Sequence, residues 1–261
     1  MLYDKVIEAT KLISWNQHGI EADGRGVRAT GIFTRQTVVG LSLQRVLPRP
    51  SSSRHRGDEL WDIVSLASLA RSLLEGFLSL YYFGIQRITA EEAELRFLIL
   101  QLHRNVEWFE IRELTDPNDA GLKEFEEAIT GQRLIIKNHP YLPSLTNAQR
   151  NRALRGLEIY KTKADFESEL AVCKDLRRNY RLLSNFVHPL PISIERIDYE
   201  RGRGIGSDPD VNYCLICLMI GRRFLAASTV GIADHFPNHL GLRFADKLAE
   251  IQPLVSAGFD E

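Results

Sequence analysis

From Asp58 to about Ile85 the apolar positions are too dense for a helix with one wet face: Trp61, Ile63, Val64, Leu66, Leu69, Leu73, Leu74, Phe77, Leu78 and Tyr81. Leu and Ala dominate, so the stretch reads as a central buried helix with Asp58 as its cap. It is long enough to span a bilayer, but Asp62, Arg71 and Glu75 would each be costly in lipid, and the pattern predicts bundle core. Thr89-Ala-Glu-Glu92 is a capping box that opens a second long helix through about Leu114. Its apolar set, Leu95, Leu98, Ile99, Leu102, Val106 and Phe109, keeps the three-four spacing of a helix face.

Asp116-Pro-Asn-Asp then breaks the chain, and a shorter helix follows near Leu122–Thr130. Two prolines make Asn138–Pro143 a loop, and the capping pattern Thr146-Asn-Ala-Gln149 starts a short basic helix. Asp165 is placed to cap a helix running to Val187 or His188, where Pro189 stops it. Pro191–Asp210 reads as a long loop, in which Ile192, Ile194 and Ile197 could form a short strand. Asp208-Pro209 sets a cap and a first-turn proline before a helix over Asp210–His235, and a last helix covers about Leu240–Ile251. The segment from Thr37 to Leu43 is read as helix. The expected fold is all-α: a bundle of long antiparallel helices.

Composition adds few constraints. The 261 residues carry 33 Lys plus Arg against 34 Asp plus Glu, and 44% are hydrophobic, which excludes a disordered chain or one that wraps nucleic acid through bulk positive charge. Three cysteines cannot frame a disulfide scaffold, and Asp4 and Glu8 interrupt the N-terminus. A reducing cytoplasm is therefore the expected compartment, with no signal peptide and no membrane partner. The near-neutral total hides a strong alternation. Residues 1–57, 58–130, 131–181 and 182–261 carry +5, −9, +6 and −3, and Gly24–Gly57 holds seven arginines and no acid. On that basis residues 1–57 are taken as a basic helical extension and 58–261 as the main bundle domain. Such segregation can pair helices inside the fold or between subunits, or leave a basic face for phosphate.

The segment with the most chemistry is Arg177-Arg-Asn-Tyr-Arg-Leu-Leu-Ser-Asn-Phe-Val-His188. Arg181 and His188 are seven apart, so on a helix they differ by only about 20° around the axis. Ser184 lies between them, Asn185 follows it, and Arg177 and Arg178 lie one turn earlier. One stripe thus offers fixed cations, a hydroxyl and an imidazole, while Leu182, Leu183, Phe186 and Val187 supply packing. His188 falls at the helix C-terminus, where the dipole favours a cation. Arg71 and Glu75 are an i, i+4 pair in an apolar helix. They are expected either to pair with each other or to let Glu75 orient Arg181 or His188.

Arg181-x6-His188 resembles the Arg-x4–6-His signature of the HEPN superfamily, whose members are helical and often metal-independent endoribonucleases. Ala70-Arg-Ser-Leu-Leu-Glu75, taken with Leu183-Ser-Asn-Phe-Val-His-Pro189, looks like an uncharacterised bacterial subgroup of helical proteins, over roughly residues 58–236. The resemblance implies a HEPN-like core and RNA as substrate. His188 would be general acid or base, and Arg181 would hold the phosphate. It also implies a homodimer and a toxin or antiviral-defence setting, with neither cofactor nor metal and with scope for a regulatory protein partner. The alternative is a catalytically silent helical module that binds a partner protein or nucleotide. Leu182 favours it, because active members usually carry a polar residue there.

Two weaker patterns have simpler readings. Cys214-x2-Cys217 with His235-x3-His239 mimics a zinc string, but seventeen residues separate the pairs, and the cysteines lie in an apolar run and read as core. Gly202-Arg-Gly-Ile-Gly206 lacks the Lys-Ser/Thr of a phosphate loop and reads as a connector.

Overall fold

The computed structural model describes residues 2–47, 61–188 and 208–256. Among them the chain is all-α, with no strand. The helices are α1 (Leu2–Asn16), α2 (Gly24–Val46), α3 (Ile63–Leu80), α4 (Ala90–Thr115), α5 (Leu122–Lys137), α6 (Asn147–Leu154), α7 (Lys163–Glu169), α8 (Leu176–Val187), α9 (Asp208–His235), α10 (Ala245–Ile251) and α11 (Pro253–Ser256). They form two compact units. One contains the segments up to Ile85 and from Phe166 onward, and the other is Gln86–Asp165.

In the first unit α3 is the hub and packs against α2, α8 and α9. The dense apolar pattern that predicts a central helix here has its cause in those three partners, since Leu66, Ala67, Ala70, Leu73, Leu74 and Leu80 are all fully buried. The cap is Asp62, which accepts from the Ser65 amide at 3.0 Å. The expected cap Asp58 lies outside the described residues. After Leu80 the helix widens into a single π turn, Tyr81–Ile85.

α1 and α2 belong to this unit, which does not follow the division at residue 57 drawn from charge. Ile13, Ala29, Phe33, Leu80, Ile232, Ala233, Phe236 and Leu240 form one buried cluster drawn from α1, α2, α3, α9 and the turn after α9. Within it the α1–α9 contact carries a buried hydroxyl pair, Thr10 with Thr229 at 2.7 Å. Each hydroxyl also lies within bonding distance of a carbonyl of its own helix, so when one donates across the pair the other donates to its carbonyl and neither is left unsatisfied.

Two glycines let α2 approach α3 and its π turn. A Cβ on Gly76 would lie 1.4 Å from Gln36 Nε2. The buried Gln36 amide fills that space and donates to the Ser72 carbonyl at 3.3 Å. A Cβ on Gly84 would lie 2.6 Å from Ala29 Cβ and 3.1 Å from its Cα, leaving nothing flexible to yield. Arg25 fixes the same junction by donating to the Gly84 carbonyl at 2.9 Å.

In the second unit α4 and α5 form a hairpin, with α6 against α5. α5 runs on to Lys137, past the expected end at Thr130, because Ile136 is buried and extends the packed face started by Ile129. α7 returns the chain to the first unit. Residues 165–187, expected as one helix, are two. α7 ends at Glu169, a turn of 3₁₀ helix covers Ala171–Cys173, and Asp175 adopts a left-handed conformation (φ 67°) before α8. The last expected helix starts later than Leu240, at Ala245, after a π turn over Pro237–Gly241. The expected strand near Ile192–Ile197 and the Gly202–Gly206 connector lie outside the described residues.

By length and composition the stretches Ile63–Ile85 and Asp210–His235 could each cross a membrane. In this structure they pack against each other, and 72% of the second is buried within the chain's own fold.

Gly84→Ala is expected to destabilise the protein by about 1–3 kcal/mol, the usual cost of overpacking a filled interface. Gly131→Ala, at an exposed α5 position with open space around it, should stabilise by about 0.5–1 kcal/mol through helix propensity. Urea titrations of both variants check the signs. A neutral Gly84→Ala would mean that the α2 contact is not close-packed.

Candidate functional site on helix 8

The face of α8 that meets α3 carries Leu176, Asn179, Leu183 and Phe186, all buried at i, i+3, i+7 and i+10. Phe186 also packs on Tyr213 of α9, with ring centroids 5.0 Å apart. The half-buried Tyr180 sits beside this face. Arg71 of α3 donates to its hydroxyl at 2.5 Å and lies 4.6 Å from the ring centroid. Arg71 also reaches Glu75 at 3.1 Å. Burial, and then the nearby Glu75 carboxylate, push the Tyr180 hydroxyl above the ordinary tyrosine value.

Arg71 and Glu75 are therefore partners of each other and of Tyr180. They stand at the edge of the α3–α8 contact, 26% and 46% exposed, and are not the buried pair expected from the apolar sequence around them. Their described bonds fasten α8 to α3, and neither residue bonds Arg181 or His188 directly in any described contact.

The opposite face of α8 carries Arg177, Arg178, Arg181 and, at its C-terminal cap, His188, all exposed. Two of these cations are held by acids. Arg177 gives its backbone amide and its Nε to the two oxygens of Glu167, at 2.7 and 2.5 Å. Arg178 pairs with Asp175 at 3.2 Å. Arg181 has no ion pair with a described residue, so its fork of donors faces water. His188 donates its backbone amide to the Ser184 carbonyl at 3.2 Å and ends the helix in extended conformation.

Ser184 contributes less than its place on the stripe suggests. Its hydroxyl donates to the Tyr180 carbonyl at 2.7 Å within its own helix. Asn185 is half-buried beside it, and Leu182 is also half-buried. Asn179 went unnoticed in the sequence. It is 2% exposed, with no partner for its side-chain Nδ2 among the described residues.

The zinc-like string is dispersed. Cys214 and Cys217 are buried, and burial pushes both thiols up to about 12. His235 is half-buried against Phe236, and burial together with Arg25 holds it below the ordinary histidine value. No group of three or more His, Cys, Asp and Glu among the described residues could hold a metal ion.

The second unit contains a polar cluster that sequence reading passed over. Thr89 caps α4 by accepting from the Glu92 amide at 3.2 Å, but the Glu92 carboxylate does not complete the capping box. It turns inward instead, accepting from Tyr160 at 2.5 Å and Tyr141 at 2.6 Å and pairing with the buried Arg96. Arg96 also donates to Gln86 at 2.8 Å. Nearby, the buried His139 accepts the Tyr141 amide on Nδ1 at 3.2 Å, which leaves the proton on Nε2, 3.7 Å from Glu94. Burial alone would raise the Glu92 carboxyl, but the two tyrosine hydroxyls and Arg96 outweigh it and hold the group below the ordinary glutamate value. The visible signal was Glu92–Arg96, an i, i+4 charge pair on an apolar face, of the same kind as Arg71–Glu75.

No protein-family model, curated protein or solved structure matches the chain.

Because the folded Glu92 titrates below the unfolded one, its contribution is complete above about pH 4.3 and is lost as pH falls through the folded value. Glu92→Gln should cost on the order of 3 kcal/mol at pH 7, since it leaves Arg96 buried without its charge partner. The gap between wild type and variant should close toward pH 3. Urea midpoints across that range test this, and a gap independent of pH would show that the charge contributes nothing.

Proposed function

We propose that this protein is a metal-independent endoribonuclease of the HEPN type, working as a homodimer with Arg181 and His188 as its catalytic pair. The observation that supports this reading most is the charge pattern of α8. Glu167 and Asp175 occupy Arg177 and Arg178, while Arg181, on the same stripe as His188, keeps its guanidinium open to solvent. A guanidinium binds phosphate through two parallel N–H donors, and an exposed imidazole on the same stripe can take up or give a proton.

In the proposed reaction the ribose 2′-hydroxyl attacks the adjacent phosphorus, and the bond to the 5′-oxygen of the next nucleotide breaks. His188 takes the 2′ proton or delivers one to the leaving oxygen, and Arg181 carries the charge that builds on the phosphoryl oxygens. The products are a 2′,3′-cyclic phosphate and a 5′-hydroxyl end. The step needs no cofactor. A toxin or antiviral-defence role fits such an activity. The half-buried Leu182 beside Arg181 supports the competing reading, a silent helical module that binds a protein or nucleotide partner.

Incubating the full chain with mixed RNA in EDTA separates the two. Cleavage to cyclic-phosphate ends is expected, falling at least ~10²-fold in both His188→Ala and Arg181→Ala. Folded wild-type protein that leaves RNA intact would overturn the nuclease reading in favour of the silent module.

A further inference from the structure

The outer face of α4 is exposed along most of its length. Leu95, Ile99 and Leu102 of this helix are fully buried. On the other side Phe97, Leu100, Arg104, Glu107, Trp108, Ile111 and Leu114 fall within an arc of about 120°, at the four-three spacing of a coiled-coil seam. Phe97, Trp108, Ile111 and Leu114 are 45%, 52%, 50% and 85% exposed. Four large apolar side chains on one stripe of one helix exceed the scattered apolar residues of an ordinary surface.

The order of residues along this stripe says what fits it. Read from either end it is apolar, apolar, charged, charged, apolar, apolar, and its two central charges are opposite: Phe97, Leu100, Arg104, Glu107, Ile111, Leu114. If a second α4 lies antiparallel with its two-fold axis between residues 105 and 106, Phe97 meets Leu114 of the other copy and Leu100 meets Ile111. Arg104 meets Glu107, and the symmetry makes each contact twice. A parallel pairing would instead set Arg104 against Arg104. Arg104 is exposed and has no ion pair with a described residue, while Glu107 reaches only His103, at 3.8 Å. Among the described residues, then, neither central charge is committed to a close ion pair with an Arg, Lys, Asp or Glu side chain.

We propose that the outer face of α4 is a homodimer interface in which two α4 helices pack antiparallel across paired Arg104–Glu107 contacts. The apolar residues supply the attraction, and the central charges fix direction and register, as polar residues in a helical seam do. The seam runs eighteen residues, about 25 Å, which is short for an obligate interface and implies a reversible dimer. This inference stands on α4 alone and does not rest on the nuclease reading.

Sedimentation velocity on the full chain, from about 1 to 100 µM, tests it. Wild type is expected to move from the 29.7 kDa monomer toward twice that mass as concentration rises. Ile111→Asp should hold the chain monomeric, and so should Arg104→Glu or Glu107→Arg, each weakening association by at least 10-fold. The double exchange Arg104→Glu with Glu107→Arg should restore the dimer. All three positions are exposed, and circular dichroism confirms that each variant folds. A wild type that stays monomeric overturns the proposal. So does a dimer untouched by Ile111→Asp, or a double exchange that fails to restore association.

Discussion

The close approach of α2 to α3 governs the first unit. At Gly76 the space a side chain would take is filled by the Gln36 amide, and at Gly84 it is filled by the Ala29 backbone and Cβ. Close-packed interiors tolerate neither a void nor an extra methyl, so the separation of these helices is fixed to within a fraction of an ångström. With one side of α3 committed to α2, the hub still has to accommodate α8 and α9. The Arg71–Tyr180 contact then sets where α8 lies along α3, and the direction of the Arg181–His188 stripe follows from it. The site is therefore positioned by contacts made on the far side of the helix that carries it.

Along α8 the electrostatics are selective. Arg177 and Arg178 share one turn and Arg181 lies on the next, yet only the first two form an ion pair with a described carboxylate. The left-handed Asp175 is the source of this difference. By closing α7 and the 3₁₀ turn back against the start of α8, it brings Glu167 to Arg177 and puts its own carboxylate beside Arg178. An aspartate tolerates that conformation better than most residues. An uninterrupted helix from Asp165 would have placed Glu167 almost three turns from Arg177, and that guanidinium would have lost its carboxylate.

Much of this was readable from the amino-acid order, and the failures have physical causes. Periodicity finds α3, α4 and α9 because each buries enough apolar surface to impose a pattern. It joins α7 to α8 because helical spacing runs through Leu170–Asp175 unbroken, and the stop comes from a single backbone angle that no glycine or proline marks. It assigns Glu92 to a capping box because Thr-x-x-Glu is a local rule. In the fold two tyrosines 49 and 68 residues away and a buried arginine compete for the same carboxylate and win. It buries Arg71 and Glu75 because their sequence neighbours are apolar, whereas the helix turns both toward the edge of a contact. The Arg181–His188 stripe was legible because it depends only on 3.6 residues per turn. The engagement of its neighbours was not, because that depends on tertiary placement.

The alternation of charge along the chain gains its meaning from how locally the ion pairs close. Arg71 pairs with Glu75, Arg96 with Glu92, Arg112 with Asp119 and Lys123 with Glu127, all inside the acidic block. Arg177 pairs with Glu167 and Arg178 with Asp175 inside a basic one. Each such pair removes one charge of either sign and so leaves the excess of its own block unchanged, whereas Lys5 and Glu250 pair across two blocks. Around the α4–α5 turn the resulting field is negative, set by Glu110, Glu113, Asp116, Glu124, Glu126 and Glu127, and it repels a phosphate backbone. The apolar stripe of α4 lies in this field, which disfavours a phosphate backbone there and accords with the proposed pairing of two α4 helices. The basic block that contains Arg181 carries the opposite excess, so the two stretches of chain differ in the sign of the field that they set up.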